Sequence, residues 1–183
     1  PLHDFVKMLR PRLPEPVIAA AEELRFRDMM LLVLFVDKTR ISHNASIYFP
    51  DPSVPFTRIY EPKNRSESMS PPGKTALVVE IPIQKEEPLW NAPRSVLTAQ
   101  VVEVCSKYGL LRTEDVIDSK IHRMPAAYPV LNLKSRQALQ VVQKELSQYH
   151  NLHCSGRGGL FLYAHMHDMY CFGREIIKVI ASG

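Results

Sequence analysis

The stretch "MMLLVLFVDK", residues 29–38, contains the longest apolar run of the chain and decides how the rest of it is organised. Its eight consecutive apolar residues, Met29 to Val36, are far too few to span a membrane. A short continuous run of this kind is typical of a strand that is covered on both faces. Residues 29–38 are therefore predicted to form a buried strand, and "TALVVEIPI" (75–83) predicts a second long strand.

The remaining pattern predicts an α+β fold with a mostly antiparallel sheet and flanking helices. Most connections between strands are short, which favours antiparallel pairing. Further strands are expected at "ASIYF" (45–49), "FTRIYEP" (56–62), "DVIDSKIHRM" (115–124) and, as a short strand before a glycine turn, residues 151–154. Helices are expected at "PVIAAAEELRF" (16–26), on the apolar faces Leu97/Val101/Val104/Cys105/Tyr108 and Leu139/Val142/Leu146/Tyr149, and from Met166 on the face Met169/Phe172/Ile176/Val179.

The net charge and the cysteine content indicate which kind of ligand and which environment the chain suits. A formal charge of +4 and a pI near 9.0 over 183 residues are mild and spread along the chain. This balance suits an anionic small molecule better than nucleic acid, and no membrane span is predicted. The three cysteines form no paired motif, which favours a reducing, cytoplasmic setting. Because the chain opens on Pro1 rather than methionine, it is expected to be a fragment of a longer protein.

The segment "GRGG", residues 156–159, places a fixed cation among glycines ahead of a predicted helix. Glycine allows positive φ and close backbone approach, so that successive N–H groups can face one ligand. Arg157 adds a planar set of donors suited to phosphate oxygens, and the start of a helix carries partial positive charge. An anion-binding turn is one interpretation, and a plain turn with a surface arginine is the other.

Two further positions could contact an anionic ligand. Alternation in the predicted strand puts Arg58 and Tyr60 on one face and Thr57, Ile59 and Glu61 on the other. Arg58 therefore either projects into a cleft as a cation or pairs with a neighbouring carboxylate. Tyr128 precedes a proline, which holds it in an extended conformation and fixes the direction of its phenol. It could equally be a core tyrosine at the end of a strand.

A metal site is disfavoured by the spacing of the candidate ligands. The histidines and cysteines of the C-terminal part lie in two groups: His150, His153 and Cys154, and His165, His167 and Cys171. His167 and Cys171 are four residues apart and would share one helix face. Zinc sites show tighter pairs in both halves, so no metal is expected.

In their order, "VPFTRIYEPKN" (54–64), "ALVVEIP" (76–82), "AAYPVLN" (126–132) and "GRGGLFLYAHMHD" (156–168) resemble the C-terminal part of FAD-dependent enzymes of the amine-oxidase-like superfamily. The groups that they resemble are the UDP-galactopyranose mutases and the protoporphyrinogen-oxidase-like proteins of bacterial cell-surface sugar pathways. In that superfamily an ADP-binding GxGxxG motif lies near the N-terminus of a chain more than twice as long, and this sequence lacks the motif. The resemblance therefore implies the back half of a flavoprotein.

The resemblance also implies that two parts of the chain belong to two different domains. Residues 1–125 would supply part of the substrate-binding domain, and residues 126–183 would supply the C-terminal strand, turn and helix of the FAD-binding domain. An apolar face left bare by the absent ADP-binding half would favour a homodimer.

Site residues follow from the same resemblance. Gly156 and Arg157, with Gly158, match the family's "GR" along the flavin and its diphosphate, and Tyr163 and Met166 match its "Y..M". The positive end of the helix that starts at Met166 would stabilise negative charge on reduced flavin.

On the substrate side, Arg58 matches the arginine that faces the substrate diphosphate in the mutases, and Tyr128 matches the tyrosine that contacts the same group. Asn132 stands where the mutases have an aspartate, and "YAHMH" (163–167) also departs from the family pattern.

These departures leave the reaction open. The resemblance implies an FAD-dependent oxidoreductase that acts on an anionic small molecule, with a nucleotide sugar as a candidate. A mutase, which uses reduced flavin as a nucleophile toward the sugar, is the alternative. A non-catalytic α+β binding module that keeps the scaffold is the third interpretation.

Overall fold

The computed structural model describes residues 1–182 and contains one five-stranded antiparallel sheet with helices, as the α+β prediction requires. Gly183, the last residue of the predicted segment 126–183, lies outside the described residues. The strands are β1 (Phe26–Val36), β2 (Ile47–Tyr48), β3 (Arg58–Tyr60), β4 (Thr75–Ile83) and β5 (Val116–Pro129), in the spatial order β2-β3-β4-β1-β5. The helices are α1 (Leu2–Met8), α2 (Glu15–Glu22), α3 (Arg94–Lys107), α4 (Leu133–Leu146), α5 (Gly156–Leu160) and α6 (Met166–Ser182).

The chain divides into two compact units, and the divisions fall inside β1 and β5. Unit 2 is residues 28–125, and unit 1 consists of residues 1–27 together with residues from 126 onward. The N-terminal helices α1 and α2 thus belong with the C-terminal helices rather than with the sheet unit. The assignment of residues 1–125 to substrate binding and of residues 126–183 to FAD binding stays a prediction.

In unit 2 the two long strands predicted from the apolar runs lie side by side. β1 pairs with β4 in the register Leu32↔Val79 and Leu34↔Leu77, and all four of these side chains are buried. Helix α3 covers this core with most of the predicted face, since Leu97, Val101 and Cys105 are buried as well. Tyr108, which was predicted on the same face, follows the end of the helix and is exposed. Burying a leucine or valine contributes about 1.5–3 kcal/mol, so this cluster is the main support of the sheet.

Unit 1 is a small helical core. Helix α2 packs on α1 and on α4, and α5 contacts both α1 and α6. Its buried cluster is made of Leu2, Val6, Leu13, Val17, Ile18, Ala21, Leu24, Ala138, Val142, Leu146 and Phe161. Helix α6 starts at Met166 as predicted, but only part of its apolar face is covered: Phe172 and Ile176 are half-buried, whereas Val179 is exposed.

Three local predictions are wrong. Residues 151–154 form no strand, because Leu152 and Cys154 satisfy their apolar character by packing against the helical core without a strand partner. The glycine segment is not a turn but the short helix α5, held by packing although glycine disfavours helices. The helix predicted for residues 16–26 stops at Glu22, and Phe26 already belongs to β1.

The three cysteines are free thiols in different surroundings. Cys105 is fully buried beneath the sheet, and burial raises the pKa of its thiol to about 12. Cys154 is half-buried, which also raises its pKa, whereas Cys171 is exposed on α6. Among residues 1–182, no helix combines the length and the apolar character needed to cross a membrane.

Candidate functional site

Arg157 contacts the rings of two neighbouring tyrosines in unit 1. Its guanidinium carbon is 4.6 Å from the ring centroid of Tyr128 and 5.1 Å from that of Tyr163. The two rings are themselves 5.6 Å apart and inclined by 31°. A cation over two aromatic faces is attracted by both quadrupoles, and these two contacts orient the guanidinium. Three residues predicted for the site are therefore brought together.

Two buried nitrogens of the Arg157 guanidinium lack an acceptor within residues 1–182. Its Nε and Nη2 atoms are shielded from solvent and have no hydrogen-bond partner among the residues that the structure describes. Leaving a buried donor unpaired is costly, and a charged one more so. Two such donors on one guanidinium edge match the two oxygens of a phosphate or a carboxylate, or adjacent acceptors of a polar ring.

Local backbone geometry fixes the position of this arginine. Gly156 has φ of +73°, a conformation that glycine adopts at no steric cost, and it opens α5 directly before Arg157. At the other end of α5, Phe161 adopts the left-handed conformation and terminates the helix. Phe161 is anchored by burial and by an edge contact with Phe26, with centroids 5.1 Å apart. Arg157 therefore lies on a short helix, α5, whose C-terminal end is anchored by the buried Phe161.

Beyond Tyr163 the aromatic row continues to the start of α6. His165 contacts Tyr163 edge-on at 6.2 Å between centroids and stacks on His167 at 5.6 Å. The backbone N–H of His165 donates to Asp168 Oδ2 over 2.8 Å, which caps the start of the helix. Met166 follows as the first residue of α6 and is exposed. Gly158 lies inside α5, where an added Cβ would stand 3.7 Å from the Cα of Pro1.

Asn132 has a structural task in this chain. Its Oδ1 accepts a hydrogen bond from the backbone N–H of Ser135 over 2.8 Å, while the Ser135 hydroxyl caps the Asn132 N–H. The pair forms a capping box at the start of α4, which satisfies two helix donors. The contact of Asn132 with a substrate remains a prediction.

Arg58 belongs to unit 2 and is already paired. It stands directly opposite Glu80 in the β3–β4 register, and its Nε donates to Glu80 Oε2 over 2.9 Å while its Nη2 donates to Glu80 Oε1. Hydrogen bonding to Glu80 raises the pKa of the Arg58 guanidinium against the opposing effect of burial. Of the two interpretations given by the sequence, the structure contains the arginine–carboxylate pair. Alternation is confirmed, since Ile59 is buried and Arg58 is half-buried.

A buried carboxylate that the sequence did not single out organises the loops of unit 2. Glu61 is only 2% exposed, and it accepts hydrogen bonds from the backbone N–H groups of Ile41 and Ser42 and from the Thr75 hydroxyl. Strand alternation from Ile59 gave the signal for its burial. The loop after Glu61 contains two short 3-10 helices, Pro62–Asn64 and Glu67–Met69.

Within residues 1–182, no three histidine, cysteine, aspartate or glutamate side chains come together in a way that could hold a metal ion. His167 and Cys171 do lie on the same helix, α6.

No protein-family model matches this sequence, and the search of curated proteins returns no relative. Solved structures do share its fold. The reduced form of a UDP-galactopyranose mutase aligns with 78% of this chain and 30% of its own, at 24% identity and a TM-score of 0.67. This chain carries part of the UDP-galactopyranose mutase fold.

A second match covers nearly the whole chain. A protoporphyrinogen-oxidase-like protein from Exiguobacterium sp. 255-15 aligns with 98% of this chain and 39% of its own, at 19% identity and a TM-score of 0.72. The chain therefore spans between 30% and 39% of the length of these two structures. The resemblance predicted from the sequence motifs is confirmed at the level of the fold.

Proposed function

We propose that this chain is part of an FAD-dependent oxidoreductase that acts on an anionic small molecule, and that residues 126–182 contribute to its flavin site. The observation that carries the proposal is the Arg157 guanidinium, which contacts the rings of Tyr128 and Tyr163 and has two buried donors unpaired among the described residues. The fold shared with a UDP-galactopyranose mutase and a protoporphyrinogen-oxidase-like protein supports the choice of cofactor.

The residues present suit such a cofactor. FAD carries a diphosphate and a polar ring edge, and the free edge of Arg157 offers two parallel donors to groups of that kind. Tyr163 adds an aromatic surface, and the start of α6 at Met166 supplies partial positive charge. When bound, flavin supplies hydride or electron transfer, while Arg157, with Gly156 and Gly158 around it, would orient the cofactor.

Substrate binding is proposed for Arg58, Tyr128 and Asn132. Because Glu80 already occupies two donors of Arg58, an anion would meet a paired guanidinium, with Nη1 as its remaining edge. That Nη1 lies 3.5 Å from the Tyr48 hydroxyl. Tyr128 offers the face of its ring to Arg157 and would link the two functions in unit 1.

The test is flavin binding by the longest natural chain that contains these 183 residues, and by the 183-residue chain with added FAD. The visible spectrum and the quenching of flavin fluorescence report binding. We expect Arg157→Ala to weaken FAD retention roughly tenfold or more, since a charge-assisted hydrogen bond contributes about 1.5–3 kcal/mol.

A matched control is Arg136→Ala, which removes an exposed arginine of the same unit from α4. It should leave flavin retention unchanged. Failure of both chain lengths to hold FAD, or equal loss in the two variants, would contradict the proposal.

A nucleotide-sugar mutase is the second candidate, favoured by the alignment of 78% of this chain with a reduced UDP-galactopyranose mutase. Product analysis separates the two functions. Chemically reduced, flavin-loaded protein incubated with UDP-galactopyranose should yield the furanose isomer if the chain belongs to a mutase. Turnover that consumes an electron acceptor instead would assign an oxidoreductase.

A further inference from the structure

Two loops of unit 2 are joined beyond the end of β3. The buried Glu61 accepts a hydrogen bond from the backbone N–H of Ser42 over 3.0 Å, and the side-chain amide of Asn64 donates to the Ser42 carbonyl over 2.6 Å. These bonds connect residues 61–67 to residues 40–44. Side chains that extend from the two loops are therefore held near each other, which lowers the entropy lost when one ligand contacts both.

One basic side chain from each loop contacts the same carboxylate. Arg40 donates through Nη2 to Glu67 Oε1, and the Lys63 ammonium lies 3.8 Å from Glu67 Oε2. The Nη1 group of Arg40 also donates to His43 Nδ1 over 3.2 Å, which orients the guanidinium. Within residues 1–182 neither cation has an ion pair with another carboxylate, so two positive charges share one negative charge.

Lys63 is the less well compensated of the two cations. Its side chain is only 5% exposed, and its ammonium donates to the carbonyl of Lys74 over 3.2 Å. The 3.8 Å that separates it from Glu67 is too long for a hydrogen bond. Burying an ammonium without a hydrogen-bonded counter-ion is costly. A doubly charged anion at this place would balance both cations.

Glu67 is the exposed member of this cluster. Its side chain is 71% exposed, and it begins the three-residue 3-10 helix Glu67–Met69 in a loop whose residues 65–69 are all exposed. Exposed ion pairs contribute little to stability, so the Glu67 carboxylate can leave the two cations at a small cost in free energy. The carboxylate therefore occupies the place that an external anion could take.

We propose that Arg40 and Lys63 form a binding site for a phosphate group, which replaces the carboxylate of Glu67. A phosphate monoester carries a charge of about −1.5 to −2 at pH 7 and has three acceptor oxygens, so it matches two cations better than one carboxylate does. Arg40 donates in the plane of its guanidinium, and Lys63 adds a compact ammonium charge. The phosphate is either the free anion or the end of a larger molecule. This site does not rest on the proposed function.

The test is a titration of the 15N-labelled 183-residue chain with inorganic phosphate and with methyl phosphate, followed by NMR. The Nε–Hε signal of Arg40 and the backbone N–H signal of Glu67 report binding, and sodium chloride at matched ionic strength measures the effect of salt alone. Arg40→Gln should weaken phosphate binding roughly tenfold or more, the loss expected for a hydrogen bond between charged groups. Lys63→Met should act in the same direction. Because Lys63 is buried, Arg40→Gln carries the test if Lys63→Met does not fold.

Glu67→Gln should have the opposite effect. It removes the carboxylate that competes for both cations, so phosphate should bind roughly two- to fivefold more tightly. Glu103→Gln is the matched control, because the Glu103 carboxylate also pairs with a lysine four residues away, Lys107, and both substitutions change the net charge equally. Glu103→Gln should leave phosphate binding unchanged, which separates a site from general attraction.

Tighter binding in Glu67→Gln, together with weaker binding in Arg40→Gln, would support the site, provided that the chemical-shift dispersion of both variants shows a folded chain. No phosphate binding, equal affinity in Glu67→Gln and Glu103→Gln, or shift changes that sodium chloride reproduces would overturn it. Methyl phosphate that binds as tightly as inorganic phosphate would assign the site to the phosphate end of a larger molecule, and much weaker binding would assign it to the free anion. Both of these results uphold the site.

Discussion

Arg157 and Arg58 each contact two tyrosine rings, yet within residues 1–182 only Arg58 also pairs with a carboxylate. In unit 2, Glu80 binds two nitrogens of Arg58, whereas in unit 1 Arg157 contacts Tyr128 and Tyr163 and keeps two buried donors unpaired. The first arrangement is complete without a ligand. The second leaves two buried donors without acceptors, which lowers stability but keeps these donors available to a ligand.

The same contrast extends to the neighbouring loops. Unit 2 uses the carboxylates of Glu61, Glu80 and Asp115 to hold backbone and side-chain donors. Four substitutions test whether side chains paired with a carboxylate contribute more to stability than side chains that contact only aromatic rings. All can be followed by urea denaturation of the 183-residue chain.

The largest effect is expected from Glu61→Ala. The substitution leaves the N–H groups of Ile41 and Ser42, and the Thr75 hydroxyl, without their acceptor. The Thr75 hydroxyl is buried and the two N–H groups are partly buried. Because an unsatisfied buried donor costs about 1–3 kcal/mol, the free energy of unfolding should fall by about 3 kcal/mol. Glu86→Ala, at an exposed position, should change it by less than about 0.5 kcal/mol. Similar losses in the two variants would show that Glu61 is not an anchor.

Arg58→Met comes next. It leaves the Glu80 carboxylate, 14% exposed, without its partner. The free energy of unfolding should fall by about 1–2 kcal/mol, less than for a fully buried pair because water still reaches this one. Adding Glu80→Gln should recover part of the loss, since the stranded charge is then removed. A double variant no more stable than Arg58→Met alone would contradict this account.

Arg157→Met should have a much smaller effect. Removing the two unpaired donors recovers part of their desolvation cost, while the two cation–π contacts, each about 0.5–2 kcal/mol, are lost. These changes oppose each other, so the free energy of unfolding should change by less than about 1 kcal/mol. A loss as large as that of Arg58→Met would indicate that Arg157 is a structural residue.

The smallest change in the free energy of unfolding is expected from Asp115→Asn, and it should be visible in how stability declines at low pH. The Lys38 ammonium, 2.6 Å away, and then the Arg112 N–H lower the pKa of the Asp115 carboxyl. A group whose pKa is lower in the folded state adds stability above its unfolded pKa and loses it as pH falls through the folded value. Stability should therefore decline less steeply below about pH 4 in the variant than in the parent chain. Identical slopes would rule out this contribution.

The sheet could be predicted from sequence because its signals are local. The apolar runs at 29–38 and 75–83 gave β1 and β4, and alternation gave the buried side of Ile59. The segment at 151–154 failed because packing against the helical core, which no local pattern encodes, removed the need for a strand partner.

The residues of the candidate site could be predicted from the sequence only in part. Motif order singled out Arg157, Tyr128 and Tyr163, and the structure brings them together. Whether an arginine is paired depends on register across strands, so the Arg58–Glu80 pair could be raised only as one of two interpretations.

The unequal surroundings of the three cysteines make the chain a natural substrate for site-selective labelling. A maleimide dye should react first at the exposed Cys171, while the shielded thiols of Cys154 and especially Cys105 stay protonated at neutral pH. A dye on α6 would report on the C-terminal helix in the native protein. The rates at which a second and a third dye react would then measure how fast the helical core and the sheet open.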